Sequence, residues 1–138
     1  MKTYDPTVVA LKAEAKRFGR PAMVVMHDSP DVRLIIFRIG VGQSLPDHAS
    51  LSTVLLHVVS GCGLVSGVGG ERAVHAGEVL AYEPGETHGV RAITEELVLL
   101  AIIAPRPSSR HTSPETSATR EPGVPPFSEP QRGLLSAR

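Results

Sequence analysis

The sequence predicts an all-β protein, an antiparallel sandwich or barrel, on three observations. About eight short apolar runs are separated by turn residues, and no helix-length periodic segment lies between them. The last run, Leu97 to Ala104, is apolar on both faces, as a strand covered on both sides would be. Tryptophan is absent and aromatics are only 4% of the chain, so the core has to come from Val, Leu, Ile and Ala.

Taken in order, residues 5 to 18 (DPTVVALKAEAKRF) predict a short helix or arm. Asp5 suits the cap, Pro6 the first helical position, and Gly19 with Pro21 the stop. Val8, Leu11 and Ala15 are expected on one face, ready to pack as an arm on the body. Strands are then expected over Ala22 to Met26 and Val32 to Ile39, joined by a turn at Asp28-Ser29-Pro30-Asp31. Gln43 to Asp47 reads as loop, and Leu51 to Val59 as a long strand closed by Gly61. Leu64 to Val68 and Arg72 to His75 flank Gly69-Gly70, a hairpin pair. Val79 to Tyr82, His88 to Ile93 and Leu97 to Ala104 complete the set, with Pro105 as the stop.

This divides the chain into an arm at 1–20, a barrel at 21–107 and a tail at 108–138. The tail is rich in Ser, Thr and Pro, with Phe127 its one aromatic residue. Such a composition buries too little apolar surface to offset chain entropy, so disorder is expected there. Within it, EPGVPPFSEP suits polyproline II.

Basic and acidic residues balance at 14 each, so no net field favours nucleic acid or an anionic membrane. The longest apolar run is eight residues, well short of a membrane span. Lys2 is followed by no apolar stretch of the kind a secretory leader needs, and the expected location is cytoplasmic. The single cysteine, Cys62, allows no internal disulfide.

Of the six histidines, His48 and His88 each stand where a loop enters a strand. At one barrel mouth, two such imidazoles can line a pocket or bind a divalent metal. If His48 points inward, strand alternation sends Ser50, Ser52, Val54, Leu56 and Val58 inward too. Leu51, Thr53, Leu55, His57 and Val59 then face outward. A bulge after Ser52 would invert this and bring His57 in as a third ligand. Glu83 and Glu86 sit in the loop before His88, where they are either solvated or able to swing over the mouth.

Two stretches, Gly42 to Gly61 and Gly77 to Ala92, resemble the paired motifs of the cupin superfamily of small jelly-roll barrels. In the first, Gly42, His48 and Gly61 fall in register, while Ser50 and Val54 occupy the places of a histidine and a glutamate. In the second, Gly77, Gly85 and His88 are in register, Pro84 is displaced by one, and Ala92 stands at the asparagine place. The spacer of fifteen residues between Gly61 and Gly77 suits small microbial cupins, and the resemblance spans about residues 32 to 104.

The resemblance implies a cupin-like barrel with its site at one mouth. It would normally imply three histidines and a glutamate around a metal, of which His48 and His88 alone are present. The expected pocket is His48, Ser50, Ser52, Leu56, Val58, Tyr82, His88 and Val90. The first function expected is small-molecule binding there without a tightly held metal. The alternative is a metal-dependent oxygenase or isomerase using His48 and His88, with Zn, Mn, Fe or Ni as candidate cofactors. A third is a dimeric interaction module, and whether the chain is an enzyme stays open. Leu51, Leu55 and Val59 on the outer face call for cover by the arm or by a second copy, and a homodimer is expected.

Overall fold

The computed structural model describes residues 1–14 and 19–108. One short helix and nine strands follow in order. They are α1 (Pro6–Leu11), β1 (Ala22–Asp28), β2 (Arg33–Gly40), β3 (Ser44–Ala49) and β4 (Thr53–Ser60). After them come β5 (Cys62–Gly67), β6 (Gly70–His75), β7 (Val79–Tyr82), β8 (Thr87–Ala92) and β9 (Glu96–Ala104). All pairings are antiparallel.

Two sheets result, one of order β1-β2-β9-β4-β7 and one of order β3-β8-β5-β6. The chain passes between them at almost every connection, so neighbours in sequence face one another across the core. That is the jelly-roll winding the motifs imply.

The expected alternation holds in β4. Val54, Leu56 and Val58 are buried, whereas Thr53, Leu55, His57 and Val59 are half-exposed. The inward set joins Ile35, Ile39, Val65, Val74, Tyr82, Val90, Leu97, Leu99 and Ala101 in one aliphatic core. Each buried Val, Leu or Ile among them contributes about 1.5–3 kcal/mol relative to leaving it in water. That is how a chain without tryptophan holds two sheets together.

Gly61 shows why the turn after β4 requires glycine. Its φ is +82°, and a Cβ there would run into the carbonyl of Glu96 and come 2.9 Å from Thr94 Oγ1.

Two sequence expectations need correction. Residues 43–47 read as loop, but Ser44–Ala49 is an edge strand. Pro46 and Asp47 hide it, because a β-bulge sits there and apolar alternation is missing. The helix is also shorter than 5–18, and residues 15–18, with Ala15, lie outside the described residues. Its buried residue is Ala10, with Ala13 buried just beyond its end, while Val8 and Leu11 are exposed. Ala10 packs with Ile36 and Val98 on the outer face of the larger sheet, with Val9, Met26, Val59 and Leu100 around them. Small side chains let the helix lie close to the sheet, which longer ones would hold away. Asp5 caps the helix as expected, accepting the N–H groups of Thr7 and Val8. The tail from 109 onward lies outside the described residues, and so does His111.

Candidate functional site

The bulge in β3 positions the site. Ser44 and Leu45 pair with Arg91 and Val90, and His48 and Ala49 with His88 and Thr87, leaving Pro46 and Asp47 opposite Gly89. The extra residue throws Asp47 onto the outer face of the smaller sheet. There its Oδ1 accepts the hydroxyl proton of Ser66 on β5 at 2.5 Å. Asp47 reaches Ser66 by lying across Gly89, where a Cβ would fall on Asp47 Oδ1 and 3.0 Å from Ser66 Oγ. The same bulge shifts the alternation by one and sets His48 directly opposite His88.

The two imidazoles meet with centroids 4.4 Å apart and planes at 56°. Tyr82, from β7 of the opposite sheet, stacks on His88 at 4.6 Å and 24°. His88 is buried and His48 exposed, so the row runs from the core to the surface. Each ring is fixed through Nδ1, which lies 2.9 Å from the Pro46 carbonyl in His48 and 3.0 Å from the Glu86 carbonyl in His88. A carbonyl only accepts, so Nδ1 carries the proton in both rings, and in the neutral rings Nε2 presents a lone pair. Burial holds the His88 pKa below the ordinary imidazole value, and His48 lowers it further, against the Glu86 carbonyl and the Glu86 and Asp47 carboxylates. Burial likewise pushes the Tyr82 phenol up, with the Glu86 charge adding to it.

The remaining residues expected at the pocket divide into two groups. Leu56, Val58 and Val90 belong to the packed core. Ser50 and Ser52 hold loops in place. Ser50 Oγ accepts the Ser52 N–H, the Ser50 carbonyl accepts the Gly85 N–H, and buried Ser52 donates its hydroxyl to the Pro105 carbonyl. Glu86 is folded back to accept the Glu83 N–H at 2.7 Å, which stiffens the loop before His88.

His57 lies on the outer face of β4, opposite Val79 and Leu100, and is not brought to His48 and His88. The bulge that would turn it inward falls between Val58 and Ser60, after His57, so the alternation up to His57 is undisturbed. His27 and His75 are elsewhere too, beside Tyr4 and Glu78 respectively.

Among the described residues, no group of three or more His, Cys, Asp or Glu side chains could hold a metal ion. Two imidazoles do not make the closed or three-ligand set that tight zinc or non-haem iron sites use. The donor set therefore does not fit the metal the fold family implies, because Ser50 and Val54 supply no further ligand.

Two shallow concavities open on the outer face of the smaller sheet, about 350 and 390 Å³ in volume, and neither is lined by His48, His88 or Tyr82. They share Asp47, Ser66 and Gly67, and the first reaches Gly85, Glu86 and Thr87 next to His88. Asp47, Ser66 and Gly89 escape a sequence reading because their contact joins three strands. The available signals are Pro46-Asp47 inside a strand and a glycine inside β8.

A two-sheet jelly-roll with paired histidines at one mouth defines a barrel of the cupin type. The family model of the AraC-like ligand-binding domain matches residues 33–137, and the chain belongs to that family within the cupin superfamily. Solved structures agree. An RmlC-like cupin protein from Desulfovibrio desulfuricans is 30% identical, with a TM-score of 0.64, covering 76% of this chain and 97% of its own. The TT1209 protein from Thermus thermophilus has a TM-score of 0.68 at 21% identity, covering 78% of this chain and 100% of its own. KdgF from Halomonas sp. has a TM-score of 0.63 at 18% identity, covering 69% and 88%. The last two support the fold alone. No functionally curated protein is similar enough in sequence to match. No helix among the described residues is long and apolar enough to cross a membrane.

Proposed function

We propose that this chain binds a small molecule at the barrel mouth, with His48 and His88 as its polar contacts, and does so without a tightly held metal. The observation that carries the reading is the histidine row. Both rings are locked through Nδ1 to the backbone, both keep Nε2 for a partner, and Tyr82 fixes His88 from the inner side. Preorganised polar atoms beside apolar side chains are the usual form of a small-molecule site. Membership of a ligand-binding domain family supports the same reading.

Ser50, Ser52, Leu56, Val58 and Val90 then act as the frame of the site and Tyr82 as its wall. A metal-dependent enzyme has weaker support, since no carboxylate joins the two imidazoles in a ligand group.

The test is a thermal-shift screen of metabolite classes against the wild type, His48→Ala and His88→Ala. A true ligand at a hundred times its Kd stabilises the wild type by about 2.7 kcal/mol. It should lose most of that effect in both variants. Ligands that stabilise all three proteins equally would place the site elsewhere.

The second element of the proposal is a homodimer through the outer face of the larger sheet. The arm covers Ile36 and Val98, but Leu55, His57 and Ile102 lie half-exposed beside them, and Val79 is exposed. An antiparallel sheet carrying that much apolar surface on its outer face calls for a cover.

A further inference from the structure

The histidine row is held at a residue outside it. We infer that Ser66 is a positioning residue of the site, tying the bulge that carries His48 on the outer side of the smaller sheet to the wall that braces His88 on the inner side. The role presupposes that the mouth is the site, but the rings themselves report it without a ligand.

Ser66, on β5, uses both of its acceptor and donor groups. Its hydroxyl donates to Asp47 Oδ1 at 2.5 Å, and its carbonyl accepts the Tyr82 hydroxyl at 3.2 Å. A short route leads from each contact to one histidine. Asp47 stands between Pro46, whose carbonyl holds His48 Nδ1, and His48 itself. Tyr82 lays its ring on His88, with centroids 4.6 Å apart. The pairing of β3 with β8 closes the circuit, because it sets His48 opposite His88 with their rings 4.4 Å apart.

The fold gives Ser66 this place. It pairs with Gly89 on β8, the residue that Asp47 crosses to reach it. Gly67 beside it lets the Tyr82 ring lie along the end of β5, since a Cβ there would stand 3.6 Å from Tyr82 Cε1. Tyr82 comes from the larger sheet. Among the described residues, its contact with Ser66 is the one side-chain hydrogen bond that joins a strand of one sheet to a strand of the other. Tyr82 is buried, and a buried hydroxyl left without its acceptor costs about 1–3 kcal/mol. The hydroxyl and carbonyl of Ser66 hang from a single Cα, so neither contact shifts without pulling on the other. Both concavities of the outer face are lined by Asp47 and Ser66, and a disturbance there is therefore felt at the mouth.

The experiment uses the full chain labelled with 13C and 15N, observed through the ring C–H correlations of histidine in metal-stripped buffer. His48→Gln and His88→Gln assign one ring each. Each ring lies in the ring-current field of its neighbour, so its resonances report position, which a general loss of stability leaves unmoved in the folded molecules. Ser66→Ala deletes the hydroxyl and keeps the carbonyl, whereas Ser66→Thr keeps both. Tyr82→Phe keeps the stacked ring and deletes the donor to the carbonyl. Ser66→Ala should displace the resonances of both histidines, and Ser66→Thr should return both towards the wild type. Tyr82→Phe should displace His48 as well as His88. Displacement of His48 alone by Ser66→Ala, or of His88 alone by Tyr82→Phe, would show that the two ends act separately and would overturn the role. Rings unmoved in both variants would overturn it as well, and so would a Ser66→Thr protein displaced as far as Ser66→Ala. Should Ser66→Ala fail to fold, the response of His48 to Tyr82→Phe decides the matter. In every one of these cases the thermal-shift screen decides separately whether the mouth binds a ligand.

Discussion

At the scale of single residues, the site depends on a glycine that touches no ligand. Gly89 is the gap through which Asp47 reaches Ser66, and that contact holds the bulge which sets His48 against His88. Gly89→Ala should put a methyl group onto the Asp47 carboxylate and cost about 1–3 kcal/mol. Urea unfolding would show a lower midpoint at unchanged slope. Adding Asp47→Ala should recover part of the loss, because the obstructing atom is gone. A Gly89→Ala protein as stable as the wild type would mean that β3 shifts freely and that the bulge does not fix the histidines.

Among the elements, β1, β2 and the exit of β9 are joined at one carboxylate. Asp28 accepts both Arg33 and Arg106, the latter through two hydrogen bonds that tie the chain leaving β9 to the end of β1. Hydrogen bonds from Arg106 and then Arg33 hold the Asp28 pKa at about 2. A carboxylate whose folded pKa is depressed stabilises fully above its unfolded value, near about 3.9, and loses that contribution as pH falls through the folded one. Asp28→Asn should therefore lower the unfolding temperature at pH 7. The gap to the wild type should close between about pH 4 and pH 2. A gap that stays constant across that window would show that the two arginines do not depend on the Asp28 charge.

The elements also show which signals a sequence carries. β4 and β9 are legible because alternation and a double-sided apolar run report burial directly. The two histidines are legible because Gly42 and Gly85 stand before them in the motif register, although His48 lies near the end of β3 and not where a loop enters a strand. β3 is not, since an edge strand with a bulge at Pro46-Asp47 buries too little to leave a pattern. In the helix, the largest apolar residues suggest one face, yet close packing on Ile36 and Val98 selects Ala10 instead. The tethering of Nδ1 to the carbonyls of Pro46 and Glu86 is backbone geometry, which side-chain identity does not encode.

For the molecule as a whole, two faces stand out. The mouth is polar, and the outer face of the larger sheet is apolar beyond what α1 covers. If that face joins two copies, Leu55→Glu should place a charge in the interface, and mass by light scattering should fall from dimer to monomer. The unfolding midpoint of the separated protomer should then lose its dependence on protein concentration. A Leu55→Glu protein with the wild-type mass would count against this interface.

In our reading the two histidines serve a small molecule and do not hold a metal tightly. Metal analysis of tag-free protein, beside a His48→Ala, His88→Ala double variant, addresses it most directly. We expect no stoichiometric metal in either protein, and no stabilisation of the wild type by micromolar Zn, Mn, Fe or Ni salts. One metal ion per chain in the wild type, lost in the double variant, would contradict it.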